Sequence, residues 1–203
     1  MYVLVSLVGD EATREADDFA LRFEKRRPPS ESFHEPAPNL DDVSAEVAKA
    51  RQALVFGHDG GGSLRAFAEG PPWATAEQFG KAFAGSRVYA FACKTMGTHL
   101  TDDDDVTAFG HAATRSGVSV FAGHCSWATA SMEDSPADLA VAVWNALADV
   151  ICAFLDGEND AGRLRLRAEE SFDIIEAGFG GVPYAIHGMM QGLRISLSQE
   201  TDG

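Results

Sequence analysis

A chain of 203 residues with 45% hydrophobic content is long enough to bury a sizeable core in one domain, which excludes a disordered tract and a disulfide-dependent miniprotein. Sixteen basic residues against 31 acidic ones leave a net charge of -15, which repels nucleic acid and anionic membrane surfaces and attracts cationic peptides. Three cysteines, Cys93, Cys125 and Cys152, are an odd and sparse set for a secreted disulfide framework, and residues 1–8 carry no signal-peptide pattern, so the expected setting is cytoplasmic.

Residues 2–8 are apolar and β-branched and stop at Gly9-Asp10, which predicts a core strand. Over 11–26 apolar residues recur at Ala12, Ala16, Phe19, Ala20 and Phe23, the spacing of one helix face. A short strand is expected near Ser32-Phe33-His34, then a helix capped by Asp41 or Asp42 that leads into the strand Ala53-Leu54-Val55-Phe56. Residues 63–67 alternate polar with apolar and turn at Gly70-Pro71-Pro72, the pattern of a small exposed hairpin. Thr75-Ala76-Glu77-Gln78 is a capping box that opens a helix with Phe79, Ala82 and Phe83 inward.

Val88-Tyr89-Ala90-Phe91-Ala92 is the next core strand and ends in Cys93. A polar loop holding Asp102 to Asp105 follows, then a helix around Val106, Phe109 and Ala113, then the strand 118–123. Pro136 stands at the first position of a long helix whose stripe runs from Leu139 to Phe154 and includes Trp144. An amphipathic helix over 163–176 and an alternating edge strand over 193–197 complete the chain. Such alternation of strand and helix predicts a single α/β domain over 1–203, mainly parallel, with helices on both sheet faces.

The chemistry concentrates in residues 53–95. Two buried parallel strands end one in Gly57-His58-Asp59-Gly60 and the other in Cys93, at the carboxyl edge where open α/β sheets bind ligands. A thiol nucleophile needs an imidazole to take its proton and N–H groups aimed at the oxyanion, and both strand ends supply the right residue types.

In this order, Phe56-Gly57-His58-Asp59-Gly60, a hairpin at 63–67, a helix from Thr75, and Val88 to Cys93, the chain resembles the caspase-like cysteine peptidases of clan CD, closest to CHAT-type and bacterial members. The resemblance implies a caspase-like three-layer sandwich, with His58 as general base and Cys93 as nucleophile. It implies oxyanion donors at the Cys93 N–H and at Asp59 or Gly60. It also implies a first specificity pocket built from Asp10 and Glu11, from Phe91, and from Ser126 and Trp127. A carboxylate in such a pocket, with Asp10 leading, selects arginine or lysine, so cleavage of a protein or peptide after a basic residue is expected. Asp59 departs from the family pattern, which has glycine directly after the histidine. That departure sustains a second reading, a catalytically silent fold that binds or regulates a protein partner.

Other features compete. His124-Cys125 is a rival pair on the next strand end, Cys152 reads as a buried hydrophobe, and His187-Gly188 lacks a strong strand before it. The run Asp102 to Asp105 is a solvated acidic loop, with calcium binding or a lure for basic substrate as its alternatives. No Cys-x-x-Cys or His-x-x-x-His spacing supports zinc, and Gly60-Gly61-Gly62 lacks a dinucleotide or P-loop pattern, so neither metal nor cofactor is expected.

Overall fold

The computed structural model describes residues 1–59, 62–97, 107–129, 131–132 and 135–198. The first elements are β1 (Val3–Ser6), α1 (Glu11–Arg26), β2 (Glu31–His34), α2 (Leu40–Ala50) and β3 (Gln52–Phe56). Three short strands follow, β4 (His58–Asp59), β5 (Ser63–Arg65) and β6 (Ala74–Thr75), then α3 (Ala76–Ala82) and β7 (Arg87–Phe91). The remainder is α4 (Phe109–Arg115), β8 (Val120–His124), α5 (Ala137–Leu155), α6 (Ala161–Phe179), α7 (Tyr184–Gln191) and β9 (Leu193–Leu197). The main sheet has the order β2-β1-β3-β7-β8-β9, parallel except for β9, which runs antiparallel to β8 at the edge.

Because side chains alternate along a strand, each central strand feeds two cores. Leu4, Leu54, Phe56, Tyr89 and Phe91 pack with α1, α5, α6 and α7 on one face. Val3, Val5, Val55, Val88 and Ala90 pack with α2, α3 and α4 on the other. By length and composition α5 is apolar enough to cross a bilayer, yet here its stripe from Leu139 to Leu155 lies in the first of these cores.

Several expectations are corrected. Residues 63–67 form no free hairpin: β5 is the middle strand of a second, antiparallel sheet β4-β5-β6, and Leu64 is fully buried. On α1 the buried position near the start is Thr13 rather than Ala12, since the Thr13 hydroxyl joins the Asp10 cap and also donates to the Ala66 carbonyl oxygen at 3.2 Å. Asn39, not Asp41 or Asp42, caps α2, accepting the Asp41 N–H at 2.8 Å. Trp144 sits at the rim of the α5 stripe with the Arg22 guanidinium 4.0 Å from its ring centre. Helix α7, absent from the sequence reading, fills the step between α6 and β9.

Candidate active site

β3 and β7 are adjacent and parallel, with Phe56 level with Phe91, and Gly57 N–H donates to the Phe91 carbonyl oxygen at 3.3 Å. His58 and Cys93 each lie two residues beyond that register pair. On the α1 and α5 face, Phe56 and Phe91 pack with tilted rings whose centres lie 5.4 Å apart.

The loop after β1 brings the third group. Asp10 caps α1, and both of its carboxylate oxygens lie 2.9 Å from His58 Nε2. It also accepts the Ala68 N–H at 3.1 Å and the Thr13 N–H at 3.2 Å. Burial alone would raise the Asp10 pKa, but hydrogen bonds from His58, Ala68 and Thr13 outweigh it and hold the carboxyl at about 2. Asp10 is thus an anion at any neutral pH. That contact is made by a proton on Nε2, so in the neutral imidazole Nδ1 is the lone-pair nitrogen.

Cys93 is half-buried, with its sulfur 3.3 Å from the Ala128 N–H and 3.6 Å from the Ala128 carbonyl oxygen. Burial raises the thiol pKa and the Asp59 charge adds to that, against the lowering influence of the Ala128 N–H and Lys94. The resting sulfur is therefore a thiol and needs a base to become a nucleophile. Lys94, the next residue, adopts a left-handed backbone with φ 56° and places its ammonium 4.6 Å from the ring centre of Trp127.

The expected pocket residues part company. Trp127 is 69% exposed, and its ring meets the Lys94 ammonium. Phe91 is buried in the core against Phe19, Phe56 and His124, because it lies within β7, two residues short of Cys93. Ser126 donates its hydroxyl to the Gly188 carbonyl oxygen at 3.1 Å and serves as a tie to α7. Asp10 is committed to His58 and to the α1 cap, so it is no free anchor for a substrate cation; the exposed Glu11 opens that helix. Asp59 is fixed by pairing of β4 with β5, while Gly60 and Asp102 to Asp105 lie outside the described residues.

His124-Cys125 does not form a rival dyad. His124 is fully buried, with Nδ1 3.1 Å from the Met189 carbonyl oxygen and Nε2 3.2 Å from the Tyr89 hydroxyl. Burial pushes its pKa down to about 4, so it is a neutral strut. With the Cys125 N–H to Gly192, Ser126 to Gly188 and the Thr129 N–H to the Met189 sulfur, it ties the loop after β8 to α7. That loop carries Ala128, the partner of the Cys93 sulfur. His187 pairs with Glu176 at 2.8 Å, and Cys152 is half-buried on α5.

Sequence reading missed the tether through α7 and the pairing of Asp10 with His58. The only signal for the second was an acidic residue at the end of the strand beside the one that leads to histidine. Among the described residues no group of three His, Cys, Asp or Glu side chains is arranged to hold a metal ion. Compared with known proteins, the chain matches no protein-family model, no curated protein and no solved structure.

Proposed function

We propose that this chain is a cysteine endopeptidase of caspase-like architecture, with Cys93 as nucleophile, His58 as general base and Asp10 as the residue that orients His58. The observation that carries the reading is the Asp10 to His58 contact at the carboxyl edge of the strand next to the one ending in Cys93. With Nε2 held by Asp10, Nδ1 of His58 takes the proton from the Cys93 sulfur as it attacks the substrate carbonyl carbon. The Cys93 N–H, with the Asp59 N–H as a further donor, steadies the oxyanion. Collapse breaks the C–N bond, the amine leaves with the proton from His58, and a thioester remains on Cys93. Water then gives a proton to His58 and its oxygen to the acyl carbon, which frees the carboxylic acid and restores the thiol.

Asp10 holds His58 and caps α1, so a preference for cleavage after a basic residue has no anchor in that carboxylate. Three free thiols suit a reducing cytoplasm, and the substrate is a protein or peptide. One observation favours the alternative of a catalytically silent binding or regulatory module: both burial and Asp59 keep the thiol protonated.

Fluorogenic peptides that differ only at the residue before the cut test the proposal. Cys93→Ala should abolish cleavage and leave the melting temperature nearly unchanged, and a peptidyl electrophile should attach to Cys93 in a His58-dependent manner. Cleavage that survives in Cys93→Ala refutes the nucleophile, and a chain that neither cuts nor labels supports the silent module.

A further inference from the structure

Helix α6 presents an outer face that none of the described residues covers. Leu166 is 54% exposed and Ile174 is 74% exposed, and they line one groove of about 350 Å³ with Arg163, Arg167, Glu170 and Ser171. These residues recur at three and four positions, so they form one stripe opposite the buried Leu164, Ala168, Phe172 and Ile175.

The charges along α6 are segregated. Arg163, Arg165 and Arg167 fall in the first half, and Glu169, Glu170, Asp173 and Glu176 in the second. Only the N-cap Asp160 suits the positive end of the helix; otherwise the arginines crowd that end and the carboxylates crowd the negative one, the reverse of what a helix dipole stabilises. Among the described residues, contacts within the chain compensate only at Glu176, which pairs with His187. Arg163 reaches Glu158 and Asp160 only at 3.8 Å, and among the described residues Arg167, Glu170 and Asp173 make no ion pair. Asp149 and Asp156, the carboxylates on and just past α5, are already taken by Arg26 and Arg27.

One occupant reconciles the exposed stripe with the inverted charge order: the same helix running the other way. We propose that the outer face of α6 is a self-association surface, on which α6 of a second copy of this chain packs antiparallel about a two-fold axis between Ala168 and Glu169. That arrangement sets Arg163 and Arg167 of each copy against Glu170 and Asp173 of the other. It brings Leu166 of each copy within one helical turn of Ile174 of the other and opposes the two helix dipoles. A two-fold interface requires a self-complementary patch, and a helix basic in one half and acidic in the other is such a patch.

Sedimentation equilibrium over a concentration series, with mixing of two charge-reversal variants, tests it. The unmodified chain should dimerise, more weakly at high salt. Arg167→Glu and Glu170→Arg should each weaken self-association by roughly tenfold or more, since each sets like charges face to face. An equimolar mixture of the two should recover heterodimers, and the double variant should dimerise again. These are exposed positions, so circular dichroism should show the fold retained. A chain that stays monomeric to about 0.5 mM, where even a small weak interface would register, overturns the proposal and leaves the face to another partner. Dimerisation indifferent to both reversals overturns it equally.

Discussion

Both carboxylate oxygens of Asp10 lie 2.9 Å from Nε2 of His58, although 48 residues separate the two in the chain. The same carboxylate accepts the Thr13 N–H at the start of α1 and the Ala68 N–H beyond β5. It therefore joins three segments at the point where the imidazole must be held.

This double duty separates two substitutions. Asp10→Asn keeps a helix cap but removes the anion that selects the Nε2–H tautomer, so peptide cleavage should fall roughly 10²-fold or more with little change in melting temperature. Asp10→Ala should lose the same activity and also about 1 kcal/mol of stability with the cap. Equal activity in Asp10→Asn and the unmodified chain would remove Asp10 from the machinery.

Asp59 raises the Cys93 pKa by its charge, second to burial among the raising influences. Asp59→Asn should therefore shift the alkylation profile of Cys93 toward lower pH, measured as the rate of iodoacetamide adduct formation by mass spectrometry. An unshifted profile would mean that burial alone governs the thiol.

His34, at the end of edge strand β2, places Nδ1 2.5 Å from Asp17 and Nε2 3.1 Å from Glu24, both on α1. Burial lowers its pKa, but the two carboxylates outweigh burial and raise it above the ordinary 6.5. A group whose pKa is higher in the folded state stabilises fully below its unfolded value and loses that contribution as pH rises through the folded one. Urea unfolding should accordingly show a loss of stability from pH 6.5 upward that His34→Gln removes.

Gly80 in α3 meets α4 so closely that a Cβ there would lie 2.4 Å from the Ser116 Cβ and 2.7 Å from the Ala113 carbonyl oxygen. Glycine to alanine in a helix ordinarily gains about 1 kcal/mol. At this crossing Gly80→Ala should instead cost about 1–3 kcal/mol through overpacking. A thermal melt reads the sign directly, and a raised melting temperature would contradict the close approach.

Local order was legible in the sequence because the strands of the main sheet and most helices carry their own signals. The apolar runs before Gly9, Gly57 and Cys93 announce buried strands, the Thr75 and Gln78 box announces α3, and the period of Phe19, Ala20 and Phe23 announces α1. That was enough to place His58 and Cys93 beyond neighbouring strand ends. Helix α7 escaped because Pro183 and the glycines around it mask a short helix whose existence depends on packing of Ile186, Met189 and Met190. Tertiary structure alone decided the rest. The layers packed on β7 enclosed Phe91 in the core, complete desolvation made His124 a neutral strut, and the approach of the β1 loop to β4 gave Asp10 to His58. Sequence fixes periodicity along the chain, whereas which polar groups meet across 48 or 65 residues depends on how the layers pack, and no local pattern encodes that distance.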